Sequence, residues 1–367
     1  LGDIRYGESA DEIVPLLNHE SLRVQMHATE ALGRLSHVPA FQAMVDMIEK
    51  NNDQDIWLRH AGMIALSRLG DEDALSALND HPSKSVRLAA VVALRRMKSP
   101  AISTYLSDRH EDVVTEAARG INDDLGIKEA LPALASVLSE SPFKNEALIR
   151  RAINANQRIG QQSNIEVLIG YVQQESAPAA MRGEALRTLS HWGSPSAFDR
   201  VDGRFIGTAE RDDSYVIQQL SPIIANLLKS KDDTVQLEAA RASGKLKLLD
   251  SEPTLLALAR NHPNPIVRST ALQSLSELPS DQLNQALEAA FKDRDTEVRS
   301  TALAILPESN ISEDQAIALF NQIMNSGTYR EQQVVLAALG EMKSANAVAY
   351  VSQYLGWLET GKASPEI

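Results

Sequence analysis

The stretch Ser83-Lys84-Ser85-Val86-Arg87-Leu88-Ala89-Ala90-Val91-Val92-Ala93-Leu94-Arg95-Arg96-Met97-Lys98 decides the fold. Its apolar and small residues fall at offsets 0, 4, 7, 8 and 11 from Val86, a stripe on one face of a 3.6-residue helix. Ser83 can accept from the free N–H groups of the first turn. The same pattern recurs ten times, led by Val24, Leu58, Val86, Val113, Leu148, Met181, Val235, Val267, Val298 and Glu331. The steps between leaders are 34, 28, 27, 35, 33, 54, 32, 31 and 33 residues. A period of about thirty with helical spacing inside each copy predicts a solenoid of helix pairs. The expected class is all-α, an α-α superhelix of about ten pairs, with a last helix near Ala345–Leu358 capping the stack and a tail over Gly361–Ile367.

Several columns support this register. Offset 4 holds Ala28, Gly62, Ala90, Ala117, Ala152, Ala185, Ala239, Ala271 and Ala302, small residues that let a neighbouring helix approach. Three residues before each leader stand Ser21, Asp55, Ser83, His110, Asn145, Pro178, Asp232, Asn264, Asp295 and Thr328, of which eight are N-capping types. At offset 12, Gly70, Gly160 and Gly193 sit where a left-handed C-cap is expected. His19, His81 and His262 lie five residues before a leader, where Asp53, Asp108 and Asp293 stand in other copies. One histidine per repeat cannot converge on one ion, so turn chemistry is expected of them. Arg59, Arg87, Arg182, Arg268 and Arg299 follow their leaders directly and are expected to bond turn and cap carboxylates of adjacent repeats.

The 54-residue step breaks the period and divides the chain into residues 1–193, an insertion at 194–213, and residues 214–367. Within the insertion, Asp202-Gly203 is a turn signal flanked by Phe198, Val201, Phe205 and Ile206. A short hairpin is expected, with these apolar residues packed on the solenoid or on a flanking domain. Trp57, Trp192 and Trp357 are read as packing residues.

The chain has no cysteine, which excludes disulfides, thiol nucleophiles and Cys-ligated metals. Phosphate-loop, His-Glu-x-x-His and Gly-x-Ser-x-Gly motifs are missing, so no catalytic, metal or cofactor residue is assigned. No run is long enough for a membrane span. A net charge of −13 argues against nucleic acid as a general partner. The charge is unevenly placed. The ten second-helix windows hold 22 Lys and Arg against 18 Asp and Glu, the remainder 14 against 31. A mildly basic inner surface facing an acidic protein partner is one reading, and an internal ladder is the other. The candidate partner-binding residues are Arg95, Arg96, Arg150, Arg151, Arg158, Phe198, Arg200, Arg204 and Phe205. The chain begins at Leu1 rather than Met and reads as an excerpt of a longer protein.

Helix pairs with an Asp-rich turn, a Val-Arg start and an Ala-Leu stripe resemble HEAT repeats. Leu58–Gly62, Glu116–Asp124, Arg150–Asn156, Trp192–Pro195 and Asp199–Gly203 resemble, more narrowly, the HEAT region of large exported bacterial proteins. There a β-propeller similar to sorbosone-type sugar dehydrogenases precedes the HEAT region and a c-type cytochrome domain follows it. The resemblance implies a periplasmic or extracellular scaffold beside redox domains. This chain has neither propeller pattern nor Cys-x-x-Cys-His, so no catalytic or haem residue carries over. The alternatives are a free-standing protein- or peptide-binding HEAT module and, from another class, a HEAT-fold enzyme of the bilin lyase or DNA glycosylase type.

Overall fold

A computed structural model describes residues 2–124, 126–309, 311–364 and 366, and part of the expected tail lies outside them. The fold is all-α. Among the described residues, extended pairing is limited to one isolated antiparallel bridge between Phe198 and Phe205. The first pair joins α1 (Ala10–Ile13), extended by a 3-10 turn to Asn18, with α2 (Leu22–Arg34). Then follow α3 (Phe41–Asn51) with α4 (Ile56–Leu69), and α5 (Glu72–Ala77) with α6 (Lys84–Met97). In the fourth pair the first element is a 3-10 helix, Pro100–Ser107, set against α7 (Glu111–Asn122). Ser103 and Thr104 there bond the carbonyls three residues back, which competes with α-helical pairing. The series continues with α8 (Leu131–Glu140) and α9 (Glu146–Ile159), then α10 (Gln162–Gln173) and α11 (Ala179–Ser190). After the insertion come α12 (Ser214–Leu227) and α13 (Asp233–Lys245), α14 (Glu252–Asn261) and α15 (Pro265–Ser276), α16 (Leu283–Ala290) and α17 (Thr296–Ile305). Last are α18 (Glu313–Ser326), α19 (Tyr329–Met342) and α20 (Ala345–Glu359).

The ten predicted capping residues are the N-caps of the ten second helices. In six of them, Asp55, Ser83, Asn145, Asn264, Asp295 and Thr328, the side chain accepts from a first-turn N–H, each contributing about 1 kcal/mol. Offset 12 is left-handed at Gly70 and Gly160, and also at Ser36, Lys98, Lys247 and Lys343. Gly193 departs from the expectation. Helix α11 already ends at Ser190, and Gly193 instead makes room for the returning chain: a Cβ there would lie 3.0 Å from the Asp213 carboxylate. The offset-4 column is buried throughout.

Five of the six turn-column residues behave as their chemistry dictates; Asp53 does not, because the Asp55 N–H bonds Asn51 instead. His19, His81 and His262 accept through Nδ1 from the N–H two residues on, at 3.0, 3.1 and 3.2 Å. Asp108 and Asp293 do the same at 2.8 and 2.9 Å. These two carboxylates also receive the ladder arginines. Arg87 grips Asp108 through Nε and Nη2 at 2.6 and 3.2 Å, and its Nη1 donates to the carbonyls of His81 and Pro82. Arg268 repeats this with Asp293 and the carbonyls of His262 and Pro263. Arg299 bonds Glu331 of the next repeat at 2.6 Å, and Arg182 bonds the Val172 carbonyl at 2.8 Å. Arg59 is the weak rung, 4.0 Å from Asp53. Burial works against the charged form of Asp293, but Arg268 and the Asp295 N–H outweigh it and hold the carboxyl below its usual range.

The packing divides the chain into two units, Leu1–Tyr171 with Ser194–Ala209, and Val172–Gly193 with Glu210–Ile367. In the first, α2, α4, α6, α7 and α9 pack successively side by side. In the second, α11, α13, α15, α17 and α19 do the same, and α20 packs on α19. The last core cluster gathers Leu303, Phe320, Val335, Leu339 and Ala347. Helix α20 closes this cluster with Ala347, and its exposed face mixes Asn346, Ser352, Gln353 and Glu359 with Val348 and Leu355.

Candidate interaction surface

The insertion belongs by packing to the first unit, although its flanks belong to the second. Its seat is built from the turn that ends α7 and from the middle of α9. After α7 the chain turns sharply through Asp123, Asp124 and Gly126. Gly126 has φ +51°, and a Cβ on it would lie 1.9 Å from the Ile121 carbonyl oxygen, so only glycine fits. This turn aims two carboxylates. Asp123 is held bidentately by Arg151 at 2.9 and 2.8 Å, while Arg151 Nη1 donates to the Ala147 carbonyl. Asp124 faces Arg95, whose other nitrogen bonds Glu116 at 3.0 Å.

The insertion closes onto this seat through polar groups. Asn154 of α9, itself buried, donates to Asn122 at 2.8 Å and to Asp199 at 2.7 Å. The other Asp199 oxygen accepts the N–H groups of Val201 and Asp202 at 2.8 and 3.2 Å. Asp199 is thus a buried side chain with both oxygens hydrogen-bonded, as buried polar groups require. Asp202 accepts the Asp124 N–H at 3.0 Å, and Arg204 pairs with Asp124. The loop is closed by Asp199 N–H to Arg204 oxygen at 2.7 Å and Ile206 N–H to Ala197 oxygen at 2.8 Å. Asp202 and Gly203 (φ +74°) lie inside a longer turn from Asp199 to Arg204, not in a two-residue hairpin turn.

Of the two expected packing sites, the solenoid does not cover Phe198, Phe205 or Ile206. Phe198 is 57% exposed and Phe205 65%, and Ile206 is exposed as well; Val201 is half-buried. The two rings pack edge to face, centroids 5.8 Å apart, across the isolated bridge. The reason is that polar contacts, not apolar ones, seat the loop. What results is a hydrogen-bonded support holding an aromatic pair toward solvent.

The other candidates divide. Arg151 is buried in its ion pair and leaves the exposed set. Arg150 bonds Glu146 one turn back at 2.6 Å, and Arg158 donates to the Asn122 carbonyl at 3.0 Å. Arg200 is half-buried with a partner. Arg96 is exposed, on α6. The site therefore gathers Phe198, Arg204 and Phe205 on one loop, with Arg95, Arg151 and Arg158 in the network beneath it. The sequence reading missed Asn122, Asp123, Asp124, Asn154 and Asp199. Their signal was an asparagine closing α7, an asparagine within α9, and an Asp-Asp pair just past a helix end. Among the tryptophans, Trp192 is buried under the Arg211 guanidinium, 5.2 Å from its ring centre. Trp57 is 68% exposed, so its reading as a packing residue is withdrawn.

Residues 220–307 match the sequence model of HEAT repeats. That segment covers α13 to α17, with their Arg268–Asp293 rung. No curated protein matches the chain. Among solved structures, the chain is similar to an engineered protein from a structural genomics consortium, at 18% identity and TM-score 0.46, over 92% of this chain and 99% of that one. It is similar to a chain of the Pds5–Scc1 complex at 13% identity and TM-score 0.35, over 91% of this chain and 56% of that one. A chain from a homology model of the AP-3 complex aligns at 11% identity and TM-score 0.47, over 98% of this chain and 73% of that one.

Proposed function

We propose that this chain is a non-catalytic HEAT-repeat scaffold that docks a protein partner on its insertion loop. The observation carrying this is the Phe198–Phe205 pair, exposed yet held on a loop whose anchor Asp199 is buried and fully bonded. Aromatic residues on a pre-ordered support suit an interface centre, because little conformational entropy is lost on binding. The resemblance read in the sequence suggests that the partner is a flanking redox domain of a larger exported protein, placing the chain in the periplasm or outside the cell.

Replacing both Phe198 and Phe205 by Ser in the full-length protein, purified from its own cells, tests this. The proposal expects the bound partner, or the protease-resistant contact with a flanking domain, to be lost while helicity is unchanged. Unaltered association in the double variant would sink it. A separate polypeptide released by the double substitution would favour the free-standing module over the connecting scaffold.

A further inference from the structure

A second surface of the first unit carries its own information. The tenth residue after the leader is Arg34 in α2, Arg68 in α4 and Arg96 in α6, one arginine per repeat over three consecutive repeats. All three are exposed. The helices pack closely here: a Cβ on Gly33 would lie 2.8 Å from the Ala65 Cα. Arg34 and Arg68 consequently line one cavity of about 440 Å3, together with Arg5, Gly2, Asp3 and Ser36. Arg5 is held there by a left-handed backbone, φ +52°, a conformation that costs a non-glycine residue energy.

The charges in this place are not balanced. Three guanidinium groups share the cavity with one carboxylate, Asp3, which sits on Arg34. The side chains of Arg5, Arg68 and Arg96 make no hydrogen bond or ion pair among the described residues. Cations near helix C-termini are favoured by the backbone dipole, and that accounts for single arginines in the last turns. It does not account for a third arginine brought in by a strained backbone. The corresponding groove of the second unit differs: Arg187, Arg241 and Lys245 share it with Glu238 and Glu277, and Arg241 is already bonded to Glu238. In the fourth repeat the row stops, because Asp123 takes its place.

We infer that this arginine row binds an acidic polypeptide segment in extended conformation. Neighbouring helices lie ~8–10 Å apart, and an extended chain advances about 3.3 Å per residue. Carboxylates at every third residue therefore meet successive arginines. Asp3 shows the chemistry at the first position, where the chain's own carboxylate occupies Arg34. The strongly negative total charge of the protein disfavours a nucleic acid in the same place. The inference concerns a surface separate from the insertion loop and does not depend on it.

The test uses the full chain and a labelled nine-residue peptide with Glu at positions 1, 4 and 7 among Ser and Gly. Binding is read by fluorescence anisotropy at low salt. The row expects saturable binding that a Gln-for-Glu peptide lacks. The variant Arg68→Gln/Arg96→Gln should weaken it about tenfold, the order expected for two charge-assisted contacts. Asp3→Asn should strengthen it by freeing Arg34, a gain that a folding defect cannot imitate. The Phe198→Ser/Phe205→Ser variant should bind the peptide unchanged, which separates this surface from the insertion. Equal binding by the Arg68→Gln/Arg96→Gln variant, or no gain with Asp3→Asn, overturns the inference. So does tighter binding of a single-stranded oligonucleotide of equal charge at the same residues.

Discussion

Replacing Arg87 by Met probes the ladder where it is most buried. The Arg87 side chain is fully inaccessible and the Asp108 carboxylate nearly so. Removing the guanidinium leaves that carboxylate as an uncompensated buried charge, a change that costs about 3–5 kcal/mol. The carbonyls are less affected, because Arg109 Nη2 also donates to Pro82 at 3.1 Å. The loss should therefore be governed by Asp108. The double variant Arg87→Met/Asp108→Asn separates the two parts, because the substituted amide carries no charge while its oxygen still accepts the His110 N–H. It should lose less than the single Arg87 variant, with a coupling of at least about 1.5 kcal/mol. Solenoid arrays open repeat by repeat, so amide hydrogen exchange in α6 and α7 is a better readout than one global transition. A cost below about 1 kcal/mol for Arg87→Met, or strictly additive effects, would refute the reasoning.

Asp293, whose carboxyl is held below its usual range, stabilises the fold fully above its unfolded value of about 3.9 and loses that contribution as pH falls through the folded value. Asp293→Asn should lower stability at neutral pH and flatten the decline below about pH 4, as read by thermal melts across pH. Ala90→Leu should overpack α6 and cost roughly 1–3 kcal/mol in denaturant unfolding, whereas a neutral outcome would mean the repeat register is misplaced. Asp199→Ala should unseat the insertion, so that the amides of Asp202 and Ile206 exchange faster while those of α6, α7 and α9 hold. Unchanged exchange there would show that the loop is ordered by something other than the Asn154 contact.

The fold was legible because its signals are local and repeated. Capping residues, the offset-4 alanines and the Val-Arg start each state the same register along the chain, and the N-caps fall where that column places them. Left-handed caps were only partly legible, since Ser36, Lys98, Lys247 and Lys343 take the conformation without being glycine. The insertion was legible as a break in period and not as a structure. Hydrophobicity alone argued for burying Phe198 and Phe205. The outcome rests on Asn154, Asp199 and Asp124, whose pairing spans 45 residues in one case and 80 in another. Such non-repeated contacts leave no periodic trace. Likewise, the arginine row was visible only as a surplus of charge until the helix packing placed Arg5, Arg34 and Arg68 around one cavity.

The central claim is that the insertion offers its aromatic pair to a protein partner. A photoreactive phenylalanine analogue at position 205 of the full-length protein, irradiated in its own cells, tests it most directly, with Lys50 on α3 carrying the same group as a control. The account predicts a defined protein adduct from position 205, to a flanking domain or a separate chain, that Lys50 does not give. Adducts confined to the solenoid's own helices, or identical from both positions, would contradict it.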